Sequence, residues 1–138
     1  VHEYVHNPAS ASYGLEAAEK LGIAPERVFK TLVLALDSKA LAVAVLPVSA
    51  QLNMKQAAKA LGVKKAAMAA QADVERSTGY VLGGVSPLGQ KKLLATAIDD
   101  SAREFTSIYV SAGRRGLELE LAAEDLCTMT RAVFAPLI

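Results

Sequence analysis

Hydrophobic and polar positions in this chain follow a helical spacing in only a few short segments. In the first of them, Leu15, Ala18 and Leu21 fall on one side of a helix. Ser12 can cap the start of this helix, and Gly22 can end it. The pattern therefore predicts a short amphipathic helix near the beginning of the chain.

Two apolar runs follow, at residues 28–36 and 40–48, and both are rich in valine and leucine. The polar segment Asp37-Ser38-Lys39 separates them, which predicts a β-hairpin. Because successive positions in both runs are apolar, both faces of the two strands should be covered. We therefore expect the hairpin to lie at the centre of a sheet.

The rest of the chain adds more strands than helices. Asn53 and Gln56 form a capping box for a helix that extends through Leu61 and stops at Gly62. Further strands are predicted at residues 64–68, 79–82, 93–98, 107–111 and 117–121, and a last helix at residues 123–129. Since the helices are too few to cross over between every pair of strands, we expect a single α+β domain over residues 1–138 with a mixed, largely antiparallel sheet.

Length, charge and cysteine content narrow the class of protein. The chain has 138 residues, a formal net charge of +1 and one cysteine. Near-neutral charge neither supports nor excludes nucleic-acid binding, because a local basic patch can still hold an acceptor stem. No apolar stretch is long enough to span a membrane, and a single cysteine allows no internal disulfide, so we expect a soluble protein of the reducing cytoplasm. The chain begins at Val1 without an initiator methionine or signal region, and we expect that residues before it are missing.

Two segments are unusually dense in glycine, at residues 83–89 and 113–116. Glycine permits positive φ and close approach of a ligand to the backbone, and consecutive amides in such loops can bind an anion. The alternative interpretation is that both segments are simply tight turns.

Lys30 lies near the start of an otherwise apolar predicted strand. An inward-facing cation would be costly to desolvate unless it held a phosphate, a carbonyl or a carboxylate. Alternatively, the side chain points outward at the end of the strand, and alternation of side chains along a strand does not exclude this.

No familiar protein nucleophile can be assembled from the sequence. Cys127 falls on the predicted last helix with no histidine nearby, which is typical of a small core residue. Ser86 is not in a nucleophile elbow, and Pro87 removes the next backbone amide. His2 and His6 have no cysteine or carboxylate partner in a metal-ligand spacing, so no metal and no cofactor are expected.

Three charged pairs have less specific interpretations. The pairs Arg114-Arg115 and Lys91-Lys92 each lie beside a glycine-dense segment and can touch phosphates, although a solvated surface is the commoner outcome. The pair Asp99-Asp100 lies between two predicted strands, which is typical of a turn.

Several segments together resemble the YbaK family of aminoacyl-tRNA deacylases, which is related to the editing domain of bacterial prolyl-tRNA synthetases. The most specific is the loop Gly83-Gly84-Val85-Ser86-Pro87-Leu88-Gly89, preceded by Ser77-Thr78-Gly79-Tyr80. The other matching stretches, in the same order as in the family, are Phe29-Lys30-Thr31-Leu32, residues 41–45, Gln51-Leu52 with residues 59–62, and residues 108–117. The resemblance implies a barrel-like sheet flanked by short helices, and it is closest to the branch that acts on Cys-tRNA(Pro).

The resemblance also implies a set of site residues. Lys30, Gly84 and Ser111 would be catalytic, with Lys30 needed for activity. Tyr4 and Tyr13 would surround the terminal adenosine of the tRNA, and at Tyr13 a phenylalanine is also usual. Glu118 stands where the family commonly has aspartate. The remaining substrate-binding positions would be Phe29, Gly83, Val85, Ser86, Gly89 and Gly113.

For this branch the resemblance implies that the cysteine thiol of the substrate attacks its own ester and releases a cysteine thiolactone. That agrees with the lack of a credible protein nucleophile. The implied partners are the 3′ aminoacyl-adenosine end of a mischarged tRNA and prolyl-tRNA synthetase. Two alternatives remain at this point: a deacylase of Ala-tRNA or Ser-tRNA that uses water, and a non-catalytic module that binds tRNA or a synthetase.

Overall fold

The computed structural model describes residues 1–7, 13–80 and 84–138, except for the side chain of Tyr13. The strands are β1 (His2–Glu3), β2 (Phe29–Leu36), β3 (Leu41–Pro47), β4 (Ala66–Met68), β5 (Ala95–Asp99), β6 (Ile108–Ser111), β7 (Leu117–Leu121) and β8 (Val133–Ala135). The helices are α1 (Tyr13–Leu21), α2 (Met54–Ala60), α3 (Gln71–Thr78) and α4 (Ala123–Thr130). Short 3-10 helices cover Pro25–Arg27 and Asp100–Glu104.

The strands form two sheets that meet along one edge. The larger sheet has the order β4-β2-β3-β5-β8, in which β2 pairs antiparallel with β3 and β4, while β3-β5 and β5-β8 are parallel. The smaller sheet has the order β1-β7-β6 and is antiparallel throughout. A parallel bridge between Val28 and Tyr109 joins the start of β2 to β6. The expected single α+β domain with a largely antiparallel sheet is confirmed.

Helices and strands cover the two faces of β2 differently. On its odd-numbered face, Phe29 belongs to the main core with Val43, Val45 and α4, and Val33 packs against Val74 of α3. On its even-numbered face, Leu34 packs against Ala57 of α2. Val28, just before the strand, packs beneath α1. Side chains alternate between faces along a strand, so Lys30 shares the even-numbered face with Leu34.

The central hairpin, which was predicted at residues 28–36 and 40–48, is confirmed as β2 and β3. The predicted strands at 64–68, 93–98, 107–111 and 117–121 and the helix at 123–129 correspond to β4, β5, β6, β7 and α4. The first helix ends as expected before Gly22, whereas the predicted cap Ser12 lies outside the described residues.

The capping box at α2 is half correct. The side chain of Asn53 accepts hydrogen bonds from the backbone amides of Lys55 and Gln56, as expected. The Gln56 side chain, however, donates to the Ile138 carbonyl, and the amide of Asn53 donates to the Leu137 carbonyl. The Asn53 amide therefore hydrogen-bonds to the carbonyl of Leu137 instead of to the Gln56 side chain.

The strand predicted at residues 79–82 is wrong where it can be assessed, because Gly79 ends helix α3 in a left-handed conformation with φ of +81°. Residues 81 and 82 lie outside the described part of the chain. Helix α3 was missed because two of its three buried side chains, Ser77 and Thr78, are polar. Strands β1 and β8 were also missed, since two or three residues give no readable alternation.

Among the described residues, no helix combines the length and the apolar character that crossing a membrane would require.

Candidate functional site

A row of polar side chains crosses the junction between the two sheets. Lys30 pairs with Leu46 in the larger sheet, while Ser111 pairs with Glu118 in the smaller one. The isolated parallel bridge between Val28 and Tyr109 lies two residues before Lys30 on one strand and two residues before Ser111 on the other. Directly paired residues project to the same face of a sheet. Lys30, Ser111 and Glu118 therefore project to the same side of the junction, with Ser111 and Glu118 directly paired.

The row lies in the space between two helices. Helix α1 packs Ala17 and Ala18 onto Val28 and Tyr109, one step before the row. Helix α2 packs on the same face of β2 at Leu34, beyond the row. Lys30 lies between these two helix contacts and is half-buried. We call this space, with Lys30, Ser111 and Glu118 at its floor, the interhelix site.

The Lys30 ammonium is held at the edge of this site. Its Nζ donates a hydrogen bond of 2.7 Å to the carbonyl of Ala50, in the connection between β3 and α2. Burial lowers the pKa of Lys30, because a charged ammonium loses hydration there. An ammonium carries three donors, so a lysine fixed through one of them can still polarise a carbonyl or hold an anion. The structure thus decides against the interpretation in which Lys30 points outward into solvent.

Glu118 supplies a carboxyl group at the other end of the row. Its side chain is 6% exposed, and burial raises its pKa to about 7. The ring of Tyr4 lies close enough that the Glu118 charge helps to raise the tyrosine's pKa, although burial has the larger effect. Near neutral pH this carboxyl group can therefore donate or accept a proton, which ordinary glutamates do not do there.

The glycine-rich loop reaches the site from the side of β6. A side chain at Gly84 would place its Cβ 3.1 Å from the Cα of Arg114 and 3.4 Å from the carbonyl oxygen of Gly113, so the loop and the turn after Ser111 are in close contact. The next residue, Val85, packs against Val33, three positions beyond Lys30. Gly84 therefore contacts the turn that follows β6, while Val85 packs on the odd-numbered face of β2, opposite the face that carries Lys30.

Tyr80 contacts both glycine-dense segments, although the sequence did not predict it as a site residue. Its hydroxyl donates to the Leu88 carbonyl at 2.6 Å. Added Cβ atoms at Gly89 and Gly113 would lie 2.9 Å and 3.0 Å from the Tyr80 ring system, and both glycines have positive φ. The signal was present in Ser77-Thr78-Gly79-Tyr80, but only the fold reveals that the ring lies between two loops.

Two of the expected substrate-binding side chains face away from the opening. Phe29 is 2% exposed and belongs to the main core on the odd-numbered face of β2. Ser86 is 3% exposed, and its hydroxyl accepts a hydrogen bond from the Leu88 amide within the loop. Phe29 can therefore affect the site only by fixing the backbone of β2, and Ser86 only by fixing the backbone of the glycine-rich loop. Gly83 and the side chain of Tyr13 lie outside the described residues.

The remaining candidate groups are engaged elsewhere. The Cys127 thiol donates to the Ala132 carbonyl at 3.2 Å and packs against the main core. His2 contacts Glu120, and His6 lies 2.6 Å from Glu16. Asp99 caps the 3-10 helix that follows β5, as the expected turn requires, and also accepts the amide of Leu137.

Arranged in this way, a cation, a hydroxyl and a carboxyl group with a pKa of about 7 surround one opening beside a glycine-rich loop. Such a set can hold an ester carbonyl, stabilise negative charge on its oxygen and move a proton. Among the described residues, the Ser111 hydroxyl accepts a hydrogen bond from the Gly113 amide and makes none with Lys30 or Glu118, so neither is in place as its base.

Comparisons with known proteins identify relatives of this chain. The family model for the aminoacyl-tRNA editing domain matches residues 7–129. A candidate Cys-tRNA(Pro)/Cys-tRNA(Cys) deacylase of Enterococcus faecalis, EbsC, is 44% identical over 118 residues, which cover 86% of this chain and 72% of that protein. The uncharacterized protein YwhH of Bacillus subtilis is 27% identical over 111 residues, covering 80% of this chain and 70% of its own.

Solved structures have the same fold. A candidate trans-editing enzyme for prolyl tRNA synthetase superimposes with a TM-score of 0.85 at 23% identity, over 96% of this chain and 83% of that one. The hypothetical protein APE2540 superimposes with a TM-score of 0.83 at 26% identity, over 96% of this chain and 88% of that one. With the family model covering most of its length, this chain belongs to the aminoacyl-tRNA editing domain family, whose members are enzymes that deacylate aminoacyl-tRNA.

Proposed function

We propose that this enzyme deacylates mischarged Cys-tRNA(Pro) and that the substrate's own thiol is the nucleophile. The observation that carries the proposal is the interhelix site itself, which gathers groups able to stabilise charge and move protons but no activated protein nucleophile among the described residues. The 44% identity to EbsC, described as a candidate deacylase of Cys-tRNA(Pro) and Cys-tRNA(Cys), supports the same substrate class.

In the proposed reaction the cysteine sulfur attacks the ester carbonyl carbon, and a C–S bond forms. The resulting oxyanion lies near the Lys30 ammonium and the backbone of Gly84, which contacts the turn after Ser111. The C–O bond to the ribose then breaks, the thiol proton ends on the ribose oxygen, and a four-membered cysteine thiolactone leaves. Holding sulfur and carbonyl close together can supply several kcal/mol of the barrier, on the order of 7 kcal/mol or more for well-oriented groups.

The remaining roles follow from the same arrangement. Ser111 and Glu118 would hold the amino group or the ribose hydroxyl of the substrate, and Tyr4 and Tyr13 would surround the terminal adenosine. Gly84, Val85 and Gly113 would shape the wall of the pocket, with Gly83, Gly89, Phe29 and Ser86 supporting it. We further propose that the domain occupies the whole of residues 1–138, acts in the cytoplasm and receives its tRNA together with prolyl-tRNA synthetase.

The test is a comparison of substrates with different side chains. Cys-tRNA(Pro) should be cleaved rapidly, Ser-tRNA(Pro) much more slowly and S-alkylated Cys-tRNA(Pro) scarcely at all, because a hydroxyl is a far weaker nucleophile than a thiol near neutral pH. Mass spectrometry of early time points should detect cysteine thiolactone before it hydrolyses. Equal rates on cysteinyl and alanyl esters, with free amino acid as the sole early product, would refute the thiol mechanism.

A second candidate function is deacylation of Ala-tRNA or Ser-tRNA by water, and Glu118 is the observation that favours it. A carboxyl group with a pKa of about 7 is well suited to act as a general base for an attacking water molecule. In that case Glu118→Gln would abolish cleavage of alanyl and cysteinyl esters alike. The thiol mechanism predicts that Cys-tRNA(Pro) cleavage survives this substitution better than Ala-tRNA cleavage does.

A further inference from the structure

An open groove adjoins the interhelix site on the side of β1. It has a volume of about 410 Å³ and is lined by Glu3, Tyr4, Val5, Arg114, Arg115 and Gly116. Tyr4 is shared by the groove and the interhelix site, because it lines the groove and its ring lies near Glu118. A chain-like ligand whose end occupies the interhelix site can therefore continue into this groove.

The turn that carries the two arginines is fixed to β1. The amide of Tyr4 donates to the Gly116 carbonyl at 2.9 Å. A Cβ at Gly116 would lie 2.9 Å from the Tyr4 carbonyl oxygen, and the positive φ of +90° also favours glycine at this position. At the other end of the turn, Gly113 packs against Tyr80. Both ends of the Arg114-Arg115 segment are therefore held before any ligand arrives.

Arg114 makes only a long ion pair with Glu3 across the groove. The shortest approach of Arg114 to Glu3 is 3.8 Å, and the two side chains are 72% and 75% exposed. Exposed pairs at such distances contribute little to stability, so a phosphate can take the place of the glutamate. Guanidinium groups bind phosphate oxygens through two parallel hydrogen bonds.

We propose that this groove, lined by Tyr4, Arg114 and Arg115, binds the backbone phosphates of the single-stranded RNA segment that precedes the terminal adenosine. The proposal rests on the proposed function, which places the aminoacylated adenosine in the interhelix site. Proteins commonly hold single strands with a basic groove beside an aromatic ring on which a base can stack. The Glu3 carboxylate competes with the RNA phosphate for the guanidinium of Arg114.

A second basic depression gives a matched control. It is lined in part by Lys39, Arg76 and Lys92, at the far end of the β2-β3 hairpin. Arg76 is 73% exposed, which is close to the 72% exposure of Arg114, but it is hydrogen-bonded to the carboxylate of Asp73 in its own helix, whereas Arg114 is only loosely paired. This depression has no aromatic side chain in its lining and lies at the other end of β2 from Lys30.

The first experiment measures binding of a short uncharged RNA that ends in CCA, by fluorescence anisotropy over a range of salt concentrations. Arg114→Ala should weaken binding about fivefold, as expected for one exposed charge contact. It should also flatten the slope of log K against log salt by about 0.7, the contribution of one phosphate in a single strand. Arg76→Ala should change neither quantity, and Glu3→Gln should strengthen binding.

The proposal is overturned if the wild type does not bind this RNA at low salt, or if Arg114→Ala behaves like the wild type. It is also overturned if Arg76→Ala has the same effect as Arg114→Ala, since that would indicate general attraction between charges. Weaker binding by Glu3→Gln would mean that the contact of Glu3 with Arg114 shapes the groove rather than competing with RNA, and it too would refute the proposal.

The second experiment separates this proposal from the proposed function. With Cys-tRNA(Pro), Arg114→Ala should raise KM and leave kcat unchanged. With cysteinyl-adenosine, which lacks the preceding phosphates, the variant and the wild type should have the same rate. Equal losses on both substrates would refute the phosphate role. If the wild type cleaves neither substrate, the proposed function fails, and the RNA-binding measurements still decide whether the groove binds RNA.

Discussion

The two faces of strand β2 differ in what covers them. On the odd-numbered face, Phe29 and Val33 are buried in a continuous apolar core beneath α3 and α4. On the even-numbered face, α1 and α2 cover the two ends but leave Lys30 between them. Neighbouring residues on one strand can therefore serve stability and chemistry separately, because alternation sends them to different environments. Substitutions at Phe29 and Lys30 should have effects of different kinds.

The largest expected effect is on the covered face. Phe29→Ala should reduce the free energy of unfolding by about 3–5 kcal/mol, because it leaves a cavity among packed side chains. Urea denaturation monitored by circular dichroism would measure the loss. Phe29→Leu should keep most of the stability and the activity. If Phe29→Leu stayed stable but lost activity, the ring would belong to the substrate pocket, as the family resemblance implied.

On the open face, Lys30→Ala should lower kcat for the aminoacyl ester about 100- to 1,000-fold, comparable to losing one oxyanion-stabilising donor. Its stability should not fall, since burial disfavours the charged ammonium in the wild type. Lys20→Ala is a suitable control, because Lys20 also donates to a backbone carbonyl, that of Val5, at 2.6 Å. Near-normal turnover by Lys30→Ala would remove Lys30 from the site.

Glu118 allows the open face to be tested through pH. Its folded pKa of about 7 lies above the ordinary value of 4.5, so between these values the folded state holds a proton that the unfolded state has lost. The fold should thus lose stability as pH rises from about 4.5 to about 7, with a total on the order of 3 kcal/mol. Glu118→Gln should remove this dependence.

Glu16 provides the opposite control for that measurement. It is also buried, but its hydrogen bonds with His6 and the Asn7 amide lower its pKa. Its stabilising contribution should be present above its unfolded pKa and should be lost as pH falls through the folded one. Glu16→Gln should therefore flatten the acid side of the stability curve, while Glu118→Gln flattens the side approaching neutrality. Identical profiles for the two variants would contradict the assignment.

The smallest effect is expected at Cys127. Its thiol packs against the main core and donates to the Ala132 carbonyl, away from the row. Cys127→Ala should deacylate at close to the wild-type rate and lose about 1 kcal/mol of stability, because it removes one small buried atom. A folded but inactive Cys127→Ala would instead make the enzyme a cysteine hydrolase and would refute attack by the substrate thiol.

The sequence predicted some residues of the site and missed others. Lys30 was recognisable because it is a cation within an apolar run, and the glycine-dense segments were recognisable by composition. Tyr80 was not assigned, because its contacts with Gly89 and Gly113 depend on two loops that meet in space. Helix α3 was missed for a similar reason: Gly79 marks its end, but its packing on Val33 is what buries Ser77 and Thr78.

The sequence by itself determined the central hairpin and the helix stops at Gly22 and Gly62, because each depends on residues close together in the chain. The tertiary structure alone decided that Lys30, Ser111 and Glu118 project to the same side of the junction between the sheets. It also decided the raised pKa of Glu118, since the hydration of a carboxyl group depends on which strands and helices surround it. Strand pairing joins residues far apart in sequence, and no local pattern specifies which strands will meet.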